Sequence, residues 1–250
     1  MTPRCYRADL HVHTCLSPCS DLEMSPQGIV QTALTRGIDI IGISDHNSAG
    51  NAGAVMRAAE GSSLSVIPGM EITTAEEVHV LGLFPTLEAA ERVQKTMYAG
   101  LGTSENEGYV QEQVLANEAD EVEGFCDRLL VAASLLSLER IVRLIHQEDG
   151  LAIAAHIDRQ AYGIIGVLGF IPRSLPFDAL EVSRHVPLRT AHQAFPMYDR
   201  CPFTTSSDAH YLKDLGTACT PLRLAQPSFE ELRMAFRGMD GRGVDVERCA

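Results

Sequence analysis

Basic residues are scarce in this chain. Twenty lysines and arginines stand against 33 aspartates and glutamates, a formal charge of −13 over 250 residues. That balance argues against binding long nucleic acid, which calls for a basic footprint. It leaves a small anionic ligand open, because bound metal ions can reverse a local field. The seven cysteines form no C-x-x-C pair, and their number is odd. A disulfide framework is therefore not expected, and reduced thiols in a cytoplasmic protein are. Cys15 and Cys19, the nearest pair, read as plain thiols. The opening Met1–Arg7 stretch lacks the apolar core of a signal peptide, and the apolar run Gly163–Pro172 is too short to cross a membrane. No long-period repeat or low-complexity tract occurs. With 45% apolar and 21% charged residues, the composition suits one large α/β domain spanning 1–250.

The most informative stretch is Asp9-Leu10-His11-Val12-His13. It reads as the end of a strand, where residues two apart share a face. His11 and His13 can thus aim both imidazoles at one point, and imidazole is the commonest protein metal ligand.

Downstream, helices alternate with short apolar strands. Ser25-Pro26 opens a helix that Gly37 stops. Ile38–Ser44 is a continuous apolar strand ending at Asp45-His46. A helix near Ala52–Glu60 leads to a strand at Leu64–Pro68, which ends in Gly69-Met70-Glu71. The run Val78–Phe84 places His79 in a fourth strand. From Pro85 to about Ser134 the pattern reads as helical and acidic, with a flexible turn at Gly100–Ser104 and the run Asn117–Glu123. That stretch, 85–134, is a helical insertion or a lid over a site. Ser137 caps a further helix carrying His146. Strands follow at Leu151–Ala155, ending at His156, at Ala179–Val182, and at Phe203–Ser206, ending in Ser207-Asp208-Ala209-His210. Ser228 with Glu231 forms a capping box for the last helix. His146 and His192 fall on helices and read as structural.

Continuous apolar strands separated by helices indicate a parallel sheet buried on both faces. Seven such strands close most simply as a distorted, TIM-like parallel (β/α)7 barrel, whose strand ends share one rim. The candidate ligands lie at or just past strand ends: His11, His13, Asp21, His46, Glu71, His79, His156, Asp208 and His210. Nine exceed the needs of one ion, so two or three divalent ions are expected. Mixed nitrogen and oxygen donors suit Mn, Fe or Zn.

The residues that carry a family resemblance are Asp9–Thr14, Ser20-Asp21, Ile43–Asn47, Pro68–Ile72, His79, Ala155-His156 and Ser207–His210. Together they make the chain resemble PHP-domain (polymerase and histidinol phosphatase) proteins over nearly its whole length. The resemblance implies a trinuclear site: one ion on His11, His13, Glu71 and Asp208, a second on Glu71, His79 and His156, and a third on Asp21, His46 and His210. The loop Thr14–Ser20 before Asp21 is longer than in many members.

Three such ions with Asp21, Glu71, Asp208 and one hydroxide leave a surplus of about +2, a match for a phosphate monoester dianion. The expected function is hydrolysis of a small phosphorylated metabolite or nucleotide by in-line attack of a metal-bridging hydroxide oriented by Asp208. Arg159 and Arg184 could fork onto phosphate oxygens, and His185 could bind substrate or protonate the leaving alkoxide. Two alternatives stand beside it. An amidohydrolase-type C–N hydrolase is weakened because neither lysine, Lys95 nor Lys213, sits at a strand end. A non-catalytic, metal-stabilised binding or regulatory module is the other. Long nucleic acid and membrane are not expected partners, and the oligomeric state stays open.

Overall fold

The strand–helix alternation read from the sequence folds into a mixed sheet that curls almost into a barrel. The computed structural model describes residues 2–103 and 112–245. Among these, nine strands run in the order β11-β10-β1-β2-β3-β4-β7-β8-β9. Seven match the expected strands: β1 (Arg4–Val12), β2 (Ile40–Ile43), β3 (Ser65–Thr73), β4 (His79–Leu83), β7 (Leu151–Ala154), β8 (Ala179–Val182) and β9 (Phe203–Thr205). The curl closes beside β1. Its first half pairs antiparallel with β10 (Thr220–Leu224), and Val12 bridges Ala209 in parallel. The short β11 (Gly243–Val244) extends β10.

The all-parallel expectation does not hold. β4 runs antiparallel to both its neighbours, β3 and β7, while the other neighbouring pairs among those seven are parallel. A parallel return needs a crossover of a dozen or more residues, and only Thr74–Val78 separate β3 from β4. A turn closed by the Thr74 amide donating to Val78 O is the only connection that fits. The reversal matters for the site: it brings the first residue of β4, His79, to the rim formed by the last residues of the parallel strands.

Helices α1 (Pro26–Thr35), α2 (Ala52–Ala58), α3 (Leu87–Tyr98) and α4 (Leu138–Gln147) pack on the outside through the larger apolar cluster, which includes Ile29, Val55, Val93 and Ile141. A separate cluster fills the barrel interior. It joins Leu10, Ile40, Ile67, Leu81 and Ile153 to Phe229, Leu232 and Phe236 of α7 (Phe229–Phe236). The shorter helices α5 (Ile164–Leu168) and α6 (Ala191–Ala194) lie between the last three parallel strands. Caps form where the sequence placed them. Ser25, Ser137 and Ser228 each accept a backbone N–H of the first turn. The box at α7 is half made, because the Glu231 carboxylate takes the Ala225 amide and Arg242 instead of reaching back to the cap.

The 85–134 stretch departs from its helical reading. α3 occupies its first part, and residues 104–111 lie outside the described residues. Beyond them β5 (Val114–Ala116) and β6 (Val122–Phe125) form an antiparallel hairpin. The acidic run joining them is a turn. Asn117 Oδ1 accepts the amides of Ala119 (2.9 Å) and Glu121 (3.0 Å), and Asp120 takes a positive φ of 65°. Such local side-chain bonds compete with a helix for the same backbone groups. The thiols also need one correction: Cys5 is disulfide-bonded, while Cys15, Cys19, Cys126, Cys201 and Cys219 are free. No helix among the described residues is long and apolar enough to cross a membrane.

Candidate metal centre

His11 in β1 and His13 just past its end reach the barrel interior because the strand is bulged. Asp9 pairs with Ile41 but Val12 with Ile43, so one extra residue is inserted. Leu10 accordingly belongs to the interior cluster and Val12 to the outer one, a change of face that a regular strand forbids. The bulge leans onto β2, where a Cβ on Gly42 would lie 2.6 Å from Leu10 O; only glycine fits. His11 and His13 are thereby turned inward and wholly buried.

Around them the strand ends deliver the remaining donors. His11 Nε2 and His13 Nε2 are 3.2 Å apart, and each is within 3.3 Å of Asp208 Oδ1. The Glu71 carboxylate sits 3.4 Å from His11 Nε2 and 3.5 Å from His13 Nε2. Donors about 2.0–2.2 Å from one ion in a tetrahedron are about 3.3 Å from each other, and these separations match that edge length. Glu71 Oε1 also meets His79 Nδ1 (2.6 Å) and His156 Nε2 (3.1 Å), and its Oε2 meets His46 Nδ1 (3.1 Å). Three groups of donors could each hold a cation: His11-His13-Asp208, His46-Glu71-His79 and His13-His46-His210.

Groups behind the donors fix which ring nitrogen faces inward. Ser17 Oγ donates to Asp45 Oδ1 (2.6 Å), so it accepts from His13 Nδ1 (2.9 Å). The proton is therefore on Nδ1, and Nε2 presents a lone pair to the centre. Neutral His11 does the same through Nδ1–H to Glu181 Oε1 (3.0 Å), and His210 through Nδ1–H to the Asp208 carbonyl (3.0 Å). Asp45 further accepts the Thr14 amide and hydroxyl, and Asp9 accepts the amides of Ser207 and Gly216 and the Ser207 hydroxyl. These buried aspartates pin the loops that carry His13 and Asp208. Asp208 (φ 51°), His156 (φ 26°) and Asn47 (φ 50°) all take left-handed backbone at the rim, strain that the surrounding bonds hold in place.

The electrostatics favour positive charge at the centre. Burial disfavours a charged imidazole at His11, yet Asp208, Glu181 and Glu71 outweigh it and hold the ring well above the ordinary histidine range. Burial likewise opposes charge at Glu71 and Asp208, but the surrounding histidines keep both well below the usual carboxylate range. A proton on His11 stands where a cation would. Asp208 Oδ1 and His46 Nδ1 remain buried with no hydrogen-bond partner, despite nearby polar atoms. Lone pairs and carboxylates converging without donors between them fit divalent metal ions.

Of the nine expected ligands, eight converge. Asp21 does not: its amide donates to His210 O (2.9 Å), but its carboxylate accepts the Glu23 amide (2.9 Å) and belongs to none of the three donor groups. Arg159 reaches in, with Nη2 2.5 Å from Asp208 Oδ2 and its side chain 43% exposed. Arg184 instead pairs with Asp214, and no described contact joins the exposed His185 to the cluster. His146 pairs with Asp178, and His192 packs edge-on against Phe203. The supports Asp9, Ser17, Asp45 and Glu181 were missed from sequence. Glu181 left a signal, a lone acid inside the apolar strand Ala179–Val182.

Residues 9–167, well over half of the chain, match the PHP domain. The chain belongs to the PHP-domain family. Residues 199–238 match the PHP-associated region. No curated protein sequence matches. Among solved structures, the fold is similar to the lesion-specific endonuclease PfuEndoQ from Pyrococcus furiosus, with TM-score 0.72 and 19% identity over 96% of this chain. The PHP chain spans 58% of that endonuclease's length. It is also similar to a protein from Bifidobacterium adolescentis proposed to be a metal-dependent phosphoesterase (TM-score 0.62, 17% identity, 98% of this chain and 99% of that one). A third is an amidohydrolase from Chromobacterium violaceum with bound sulfate and no metal (TM-score 0.56, 20% identity, 84% and 89%).

Proposed function

We propose that this PHP-domain chain is a metal-dependent hydrolase of phosphoric esters, acting on a small phosphorylated metabolite or nucleotide. The observation that carries it is the set of 3.2–3.5 Å separations among His11 Nε2, His13 Nε2, Asp208 and Glu71, with the outer nitrogens of both rings already committed to Glu181 and Ser17. His11, His13, Glu71 and Asp208 hold one ion; Glu71, His79 and His156 hold another; His46 and His210 contribute to a third. Bound there, divalent ions supply Lewis acidity toward phosphoryl oxygens and a nucleophile near neutral pH.

The chain's own residues supply position. Asp208, one oxygen in the cluster and the other on Arg159, orients the nucleophile. Arg159 is half-exposed, so its guanidinium can turn from Asp208 to fork onto a phosphate. Arg184 and His185, engaged or turned elsewhere, take no part in this reading. The loop after β1 and the β5–β6 hairpin pack together through Cys15, Val114 and Ala116, and they wall one side of the mouth. In this reading 1–250 is one domain, and the 85–134 stretch shapes the substrate pocket.

The likeness to the endonuclease keeps a nucleic-acid phosphodiester as the second reading, against which the charge of −13 stands. Purified protein loaded with Mn, Zn or Fe is assayed on p-nitrophenyl phosphate, a phosphorylated-metabolite panel and a duplex bearing an abasic lesion. Ion-dependent turnover of monoesters, with Arg159→Ala raising KM, is expected. Cleavage confined to the duplex supports the second reading. No turnover of any ester by loaded protein leaves a metal-stabilised binding module.

A further inference from the structure

The loop that follows β7 brings two side chains to the mouth of the metal centre. Arg159 extends to Asp208 Oδ2. Tyr162, three residues on, lies flat on His79, with ring centroids 4.4 Å apart and planes 17° from parallel. His79 is buried and meets the Glu71 carboxylate through Nδ1 (2.6 Å), so Tyr162 is one ring removed from the metal donors.

Backbone holds the tyrosine there. Its carbonyl accepts the His79 amide (2.9 Å), and the Arg159 amide closes a turn onto His156 O (2.9 Å). A Cβ on Gly163 would run into the carbonyls of His156 and Arg159, so only glycine can follow the tyrosine. Tyr162 itself takes a φ of 62°, left-handed backbone that is an outlier for a bulky side chain. Such strain persists at ligand clamps, where the surrounding structure fixes it. The residue is nevertheless 45% exposed, so its ring is covered by His79 and open to the mouth. Other tyrosines differ. Tyr6, Tyr98 and Tyr198 have hydroxyls hydrogen-bonded within the protein, whereas Tyr162 is engaged through a face of its ring.

We propose that Tyr162 is a specificity-determining residue, the platform on which the base of a nucleoside monophosphate stacks while Arg159 and the metal centre hold its phosphate. This rests on the phosphoesterase reading above and narrows it from phosphorylated metabolites at large to mononucleotides. Every base has a π-face to lay on an aromatic ring, and a sugar phosphate has none. The charge of −13 disfavours the same base presented in a strand. Shielding His79 from water does not by itself call for an aromatic ring, since an aliphatic side chain would do the same.

Binding tests the assignment without reference to turnover. Ion-loaded protein is titrated calorimetrically with hydrolysis-inert phosphonate analogues of adenosine 5′- and 3′-monophosphate and of ribose 5-phosphate. The better adenylate analogue is expected to bind roughly ten- to a hundredfold tighter than the sugar analogue, the size of one base–aromatic stack. Tyr162→Leu, which still covers His79, erases most of that ratio, and Tyr162→Phe keeps it; elemental analysis checks that both hold the wild-type number of ions. The chain has no tryptophan, so Tyr162→Trp puts the sole indole on the platform. Its emission is quenched by the adenylate analogue and not by the sugar analogue. Equal affinities in the wild type overturn the proposal, as does a Tyr162→Leu variant that keeps both its ions and the ratio, or a Tyr162→Trp emission indifferent to the adenylate. Faster turnover of a phosphorylated oligonucleotide than of either adenylate also overturns it. Protein that binds none of the phosphonates overturns the phosphoesterase reading instead.

Discussion

The barrel rim and the hairpin excursion at 112–128 are built from the same kinds of polar residue put to opposite uses. At the rim, eight histidine and carboxylate side chains are buried or nearly so, and they face each other with too few hydrogen atoms to satisfy them. In the excursion, polar side chains close on the nearest backbone. Asn117 caps its own turn, and Gln113 spans the hairpin from Cys126 O to the Leu130 amide. The excursion leaves only Arg128 Nε buried without a hydrogen bond, and Asp127 lies 3.5 Å from it. A site that must bind something gathers its unpaired donors around one point, whereas a wall that must only stand scatters the few it has.

Removing the carboxylate at the hub of the rim is the most forceful way to break that comparison. Glu71 touches His11, His13, His46, His79 and His156. Glu71→Ala is expected to strip at least one ion, read by elemental analysis, and to lower kcat on the order of a thousandfold, about 4 kcal/mol of barrier. A variant with full ion content would make the rim a self-contained hydrogen-bond network like the excursion. Chelation comes next. It leaves Glu71, Asp208 and Glu181 gathered at one rim, relieved by protons on histidine and by Arg159 at Asp208. With ions at a thousand times their Kd, their loss costs about 4 kcal/mol, so Tm falls by roughly 10 °C. An unchanged Tm would mean the ions do not bind the folded rim preferentially.

Glu181→Gln sharpens the comparison at the supports. An amide can present either its oxygen or its NH2 to His11 Nδ1, so the ring loses its fixed orientation and its anionic partner. Metal affinity is expected to drop about 10–100-fold with the fold intact, read by competition with a chelator and by circular dichroism. Affinity equal to the wild type would show that the ring is positioned by packing alone.

These supports also mark what the sequence discloses and what it hides. His11 and His13 were legible because strand periodicity fixes their common direction, although a bulge, not a regular strand, turns them inward. His79 was legible as a strand residue, but its place on the rim follows from the reversal of β4, which the five-residue link Thr74–Val78 already required. For Asp21 the motif spacing says nothing about where a carboxylate points, and in the structure its Oδ1 accepts the Glu23 amide, outside the three donor groups. The hairpin was hidden by its acidic run, since charge pattern alone does not separate a solvated helix face from an Asn-closed turn. Glu181 was readable in principle, as the lone charge of a buried strand.

The smallest effect probes the seam between the two regions. Asn51, at the start of α2, donates Nδ2–H to Val114 O (2.9 Å) and Thr14 Oγ1 (3.0 Å), and its Oδ1 accepts the Ala116 amide (3.1 Å). It thus ties β5 to the loop after β1. Asn51→Ala takes from the buried Ala116 amide its side-chain acceptor and from Val114 O one of its donors, at about 1–3 kcal/mol. Asp120 ties the hairpin turn to the N-terminus of α1, accepting from Ser25 Oγ (2.8 Å) and the Gln27 amide (2.9 Å), but in the open. Asp120→Ala should cost only about 0.5–1 kcal/mol, read by urea unfolding. If the excursion is a wall packed on a self-standing rim, both variants lower stability in that order and neither changes the ion count. Loss of an ion in Asn51→Ala would show that the loop after β1 is held in register by the hairpin, and the two regions would then be one cooperative unit.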